Sequence, residues 1–220
     1  MPLAGKGMLL TSMDIDPDDE ADFNRWYDRE HLIERVAIDG FLEARRYIAH
    51  QGSPKYLCLY STETFEVLDS PVYRKALTNQ TEWSNRNLAR FKNMIRSLAR
   101  ITISRGQGRG AALGIVRLRP AAESRDRLRA SLRDQLDPEQ RDGIISTHLI
   151  ESDPALSKPL TDDPPVSDPG AGDWFVLIDA TNVNAVSDAI AALVFEGGIK
   201  VSSGVYNLMW DLARSDIRLS

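Results

Sequence analysis

The same order of elements can be read twice along this chain, and that repetition limits the folds open to it more than any other feature. Met8–Ile15 is an apolar, strand-forming run, and Asp16-Pro-Asp-Asp follows as an acidic helix start suited to the positive end of a helix dipole. The helix runs to about His31. Phe41–His50 and Tyr56–Ser61 read as strands joined by the loop Gln51-Gly-Ser-Pro-Lys55. Ser70-Pro-Val-Tyr opens a helix with serine as cap and proline in the first turn. A second helical stretch, about Glu82–Lys92, leads into the strand Arg96–Ser104, and Gly106-Gln-Gly-Arg-Gly110 breaks the chain.

The second half restarts with the strand Ala111–Leu118 and the charged helix Ala121–Leu136. Strands Gly143–Glu151 and Trp174–Ala180, helix Val183–Phe195 and strand Val201–Leu212 follow. Each half therefore reads β-α-β-β-α-β, the ferredoxin-like order. The expected fold class is α+β, with residues 1–105 as the first ferredoxin-like repeat and 106–220 as the second. The strands are apolar on both faces, so a sheet with helices on one side still needs a second cover. Two repeats packed sheet to sheet as an α+β barrel supply it. Residue identity between the halves is slight; the repeat is one of pattern.

The segment Asp22–His31 carries the chemistry. With Phe23 at zero on a wheel of ~100° per residue, Trp26 falls near 300°, Tyr27 near 40°, Glu30 near 340° and His31 near 80°. Glu30 thus lies among inward aromatics and His31 at their edge. A buried ionisable group needs a partner or a task. Imidazole titrates near neutrality, so His31 is a candidate general base or acid, or else a helix terminator acting on free carbonyls. Glu30 either orients His31 or pairs with Arg45 or Arg46. Those two arginines alternate on one strand and face opposite ways, and an inward one could hold a carboxylate or enolate. Tyr27 could offer its hydroxyl. Trp26, Tyr47, Tyr60 and Trp83 are core aromatics or the lining of a pocket for a hydrophobic ligand.

Other classes are disfavoured. A net charge of −5, with 15 basic and 15 acidic side chains before residue 106 and 12 and 17 after it, argues against nucleic acid. No apolar run approaches a membrane span, and the start lacks a secretory signal. The single cysteine, Cys58, excludes internal disulfides and thiolate-cluster metals and suits the cytoplasm. His31, His50 and His148 stand far apart without carboxylates at ligand spacing, so no metal site is expected. The second-half helices contain no histidine that could serve a haem. Gly106–Gly110 lacks the lysine-serine ending of a phosphate loop and reads as the turn between halves. Ser157–Asp173, with four prolines, two glycines and four aspartates, fits a mobile excursion better than a lid.

Trp26-Tyr-Asp-Arg-Glu-His31, Gly40-Phe-Leu-Glu-Ala-Arg-Arg-Tyr47, Tyr56-Leu-Cys-Leu-Tyr60 and Ser70-Pro-Val-Tyr-Arg-Lys-Ala76 together resemble the EthD-like branch of the dimeric α+β barrel superfamily. The likeness is closest over 8–105 and looser over 110–214, as in tandem single-chain members. Members often carry proline two residues after the histidine and before the glycine, where this chain has Ile33 and Asp39. The resemblance implies a histidine opening toward the cleft between helix and sheet. It also implies a cofactor-independent enzyme of isomerase, cyclase, lyase or monooxygenase type, working on a small aromatic or polyketide-like molecule in a barrel cleft. The alternative is a non-catalytic ligand-binding or assembly protein on the same barrel. A homodimer through outer surfaces is expected.

Overall fold

In a computed structural model, which describes residues 3–158 and 170–217, eight antiparallel strands close into one barrel. The first half supplies β1 (Gly7–Asp14), β2 (Phe41–Gln51), β3 (Tyr56–Thr62) and β4 (Lys92–Gly106). The second supplies β5 (Ala112–Pro120), β6 (Ile144–Ser152), β7 (Trp174–Ala180) and β8 (Gly198–Ala213). Around the barrel the order is β1-β3-β2-β8-β5-β7-β6-β4. Each half thus contributes four adjacent strands in the same relative order. The halves meet along two ladders, Arg46 opposite Trp210 in β2·β8 and Ile101 opposite Ile150 in β4·β6.

The expected packing of one sheet on another is therefore realised as closure. β4 and β8 run to 15 and 16 residues, several beyond the strands read from sequence; Lys92 and Ile95 pair with β1 and Gly198–Lys200 with β5 inside their own halves, while Arg105, Gly106 and Ala213 pair across the seams. An edge left open would expose a row of backbone donors and acceptors. The lumen is filled with apolar side chains at its centre. One cluster draws on all eight strands, including Met8, Leu10, Tyr47, Leu57, Leu59, Ala99, Leu113, Ile150, Phe175, Leu177 and Tyr206. Alternation sends the intervening residues outward, beneath helices. That is why β1, β3 and β7 are buried along almost their whole length.

Over the first half lie α1 (Glu20–Trp26), a π-helical turn (Tyr27–His31), α2 (Leu32–Val36), α3 (Pro71–Thr78) and α4 (Glu82–Leu88). Over the second lie α5 (Arg125–Gln135) and α6 (Val183–Ala192). Ser70 caps α3 by accepting from the Tyr73 amide, as the sequence suggested. Gly40 turns the chain from α2 into β2 with φ +87°, so the missing proline leaves that corner well defined. A Cβ there would also meet Val67 at 2.5 Å. Of the proline-rich stretch, 159–169 lies outside the described residues. Its two ends are anchored: Ser157 Oγ accepts from the Leu98 amide at 2.9 Å, and the buried Asp173 carboxylate accepts from Arg117 Nε at 2.6 Å. Among the described residues no helix is long and apolar enough to cross a membrane.

Candidate functional site

The helix that carries His31 departs from the regular wheel. The Leu32 amide donates to the Tyr27 carbonyl, five residues back, so the turn holds one residue more than an α-turn. Everything at its end is set back by up to one residue step, ~100°. His31 thereby leaves the edge and joins Phe23, Trp26 and Tyr27 inside, at 7% exposure. Glu30 moves the other way and is only half-buried. It meets neither arginine nor His31; it accepts from Thr81 Oγ1 at 2.5 Å and Ser84 Oγ at 3.1 Å.

Aromatic rings hold the imidazole. The Trp26 ring lies 4.3 Å from it, tilted by 34°, and the Tyr27 ring 4.9 Å away, edge-on. His31 Nδ1 is buried and has no hydrogen-bond partner among the described residues. Burial, reinforced by the positive charges of Arg35 and Arg46, lowers its pKa well below the usual histidine value, so the ring is neutral at pH 7. The Tyr60 hydroxyl lies 3.4 Å from that of Tyr27, with the Cys58 thiol beside both. Burial raises the pKa of all three of these groups, and they stay protonated. The site is thus an uncharged base next to uncharged donors, on the outer face of β3 and beneath the first helix.

The two arginines part as alternation requires. Arg46 faces the helix layer, wholly buried, with its guanidinium 4.5 Å from the Tyr27 ring centre and 5.2 Å from that of Phe23. It donates to Asp28 Oδ1 at 2.6 Å and also to Asn24. Trp210 of β8 donates to the same Asp28 oxygen at 3.0 Å, tying the first helix to the other half. Arg46 is therefore occupied as a clamp between helix and sheet.

Arg45 and Tyr47 face the lumen, across the sheet from His31, and cannot share a ligand with it. Arg45 pairs with Glu43 at 3.0 Å and Asp179 at 3.5 Å. His148 joins this cluster, its ring nitrogens 3.0 Å from Ser104 Oγ and 3.1 Å from Ser146 Oγ, with Asp179 at 3.7 Å. Arg109, from the glycine-rich turn between halves, covers the cluster by bonding Glu43 and Asp211. Trp83 stands apart from the imidazole: its Nε1 donates to Asp22 at 3.2 Å and fastens α4 to α1.

Of the residues singled out from sequence, the fold brings His31, Trp26, Tyr27 and Tyr60 together beneath the first helix and leaves Glu30, Arg45, Tyr47 and Trp83 apart from them. Cys58, Arg35 and Ser84, not singled out from sequence, lie beside them. Cys58 was visible in principle, since it shares a strand face with Tyr56 and Tyr60 by period two. Among the described residues no group of three or more His, Cys, Asp or Glu could hold a metal ion. A cavity of about 10 Å³ lined by Leu136, Thr147, Ile178 and Leu193 has room for about one water and lies in the other half.

No protein-family model matches this chain, and no curated protein sequence matches it. Solved structures do share its fold. An anthrone oxidase-like protein aligns with a TM-score of 0.61 at 10% identity, covering 98% of this chain and 96% of that one. A protein provisionally named a monooxygenase from Fusobacterium nucleatum gives 0.58 at 8% identity, over 96% and 95%. A mutant chlorite dismutase from Candidatus Nitrospira defluvii gives 0.55 at 9%, over 93% and 92%. At such identities the likeness is one of fold: this chain has the α+β barrel of those proteins.

Proposed function

We propose that the protein is an enzyme that moves a proton at an activated carbon of a small aromatic or polyketide-like molecule, with His31 as base. The neutral imidazole takes the proton. The C–H electron pair passes into the neighbouring carbonyl as an enolate, and the Tyr27 or Tyr60 hydroxyl donates a hydrogen bond to the new oxyanion. Isomerisation, cyclisation, dehydration and oxygenation can each proceed from such an enolate. The observation that carries the reading is a buried histidine, kept neutral, whose Nδ1 lacks a partner among the described residues while protonated phenols stand beside it. A histidine retained only for packing would be expected to satisfy its ring nitrogens. The fold shared with an anthrone oxidase-like protein and with proteins named as monooxygenases points the same way.

We further read the chain as an EthD-like member whose halves, 1–105 and 106–220, are ferredoxin-like repeats. The equal strand order of the two quartets and the motifs from Trp26 to Ala76 support this. A homodimer through outer surfaces completes the proposal; sedimentation as a 24.6 kDa species at micromolar concentration would overturn it.

Anthrone in D2O tests the proton step, because its activated methylene exchanges by way of an enolate. The expected result is protein-dependent deuterium uptake, followed by NMR, that falls to background in His31→Ala while the far-UV spectrum is unchanged. Equal uptake by the two proteins would refute it.

A further inference from the structure

His31 has no hydrogen bond on Nδ1 to set its ring plane among the described residues, so something else must hold the ring in place. Its face is covered by Trp26 at 4.3 Å, and Trp26 is itself held at its far end. The indole Nε1 donates to Ser84 Oγ at 3.0 Å, and Ser84 Oγ donates to Glu30 Oε1 at 3.1 Å. The same Glu30 oxygen accepts from Thr81 Oγ1, which caps α4 by receiving the Ser84 amide at 2.9 Å. Ser84 is fully buried, and its hydroxyl serves as acceptor on one side and donor on the other. A hydroxyl can do both at once; few side chains of that size can. The chain Glu30–Ser84–Trp26 thus starts one residue before His31, leaves the helix, crosses to α4 and returns to the face of the imidazole.

We propose that Ser84 and Glu30 are positioning residues for His31, acting through the Trp26 indole: they fix the plane of the ring and keep water from it. The proposal rests on the reading of His31 as base. Neither residue touches the substrate. Glu30, which the sequence offered as orienting His31 or as pairing with Arg45 or Arg46, acts at a distance of two side chains.

The test is an NMR titration of the histidine rings in the full chain, with His31→Asn used to assign the His31 signals. In Ser84→Ala the indole loses its acceptor. His31 should then titrate closer to the ordinary 6.5, by half a unit or more, and its ring protons should lose part of the upfield shift imposed by Trp26. His50 and His148 should not move. Ser84→Thr keeps the hydroxyl and should restore the wild-type titration. Glu30→Gln retains an acceptor without the charge; as a half-buried change it serves if Ser84→Ala does not fold, and it should lose a smaller part of the upfield shift of the His31 ring protons. A folded Ser84→Ala protein with His31 titrating as in wild type, or a folded Glu30→Gln protein with the His31 ring-proton shifts unchanged, would overturn the proposal. The two readings fail separately. Shifts as expected with no anthrone exchange would leave the positioning intact and remove the catalytic role. Exchange that needs His31 but ignores Ser84, with no shift, would do the reverse.

Discussion

At the scale of residues, two buried histidines tie stability to pH. His31 is depressed by burial and by the charges of Arg35 and Arg46; His148 is depressed by burial, against a raising contribution from Asp179. For each, the unfolded chain binds a proton at higher pH than the folded one. Stability is therefore complete above about 6.5 and is lost as pH falls toward the lower folded values. We expect the urea midpoint to drop between pH 7 and pH 5, and the double variant His31→Asn, His148→Asn to show a flatter profile. An equal drop in the double variant would assign the effect to other groups. Arg46 gives a second prediction. Replaced by Met it surrenders its contacts with three aromatic rings and leaves Asp28 without its cation, though Asp28 is partly exposed and can be hydrated. The expected loss is about 2 kcal/mol by urea titration, with the fold kept. Arg45 and Arg46 show what sequence can say here: alternation separates them, but Asp179, 134 residues from Arg45, could not have been foreseen as its partner.

At the scale of elements, strands were read well where both neighbours are local. β7 matches its expected span, and β3 differs from its own by one residue. β4 and β8 were read short, because their extra residues are fixed by ladder pairing with neighbours distant in sequence, Lys92 and Ile95 with β1, Gly198–Lys200 with β5 and Arg105 and Gly106 with β6, and not by their own alternation. The π-helical turn was illegible for a different reason. A wheel assumes a fixed angle per residue, and the turn changes that angle within five residues, exchanging the places of Glu30 and His31. The corner before β2 depends on one residue. Gly40→Ala forces a side chain into φ +87° and toward Val67, and it should lower stability by about 2 kcal/mol, measured as a fall in the urea midpoint at constant slope.

At the scale of the whole molecule, closure through β2·β8 and β4·β6 makes each half the neighbour of the other along two ladders. Thermal unfolding should be a single transition with equal calorimetric and van't Hoff enthalpies; two resolved transitions would mean that the halves are stable separately. Closure also divides the interior in two. The lumen is filled by side chains from all eight strands, while His31, Trp26, Tyr27 and Tyr60 lie outside it, beneath the helices of the first half. A ligand of the size of anthrone should therefore be felt on the outer face alone. The most direct measurement is chemical-shift mapping of the labelled protein as anthrone is added. Perturbations are expected at the Trp26 indole, the His31 ring and the Tyr60 ring, with Tyr47, Phe175 and Leu177 unmoved. Shifts centred on those lumen residues, or none at His31, would contradict that expectation.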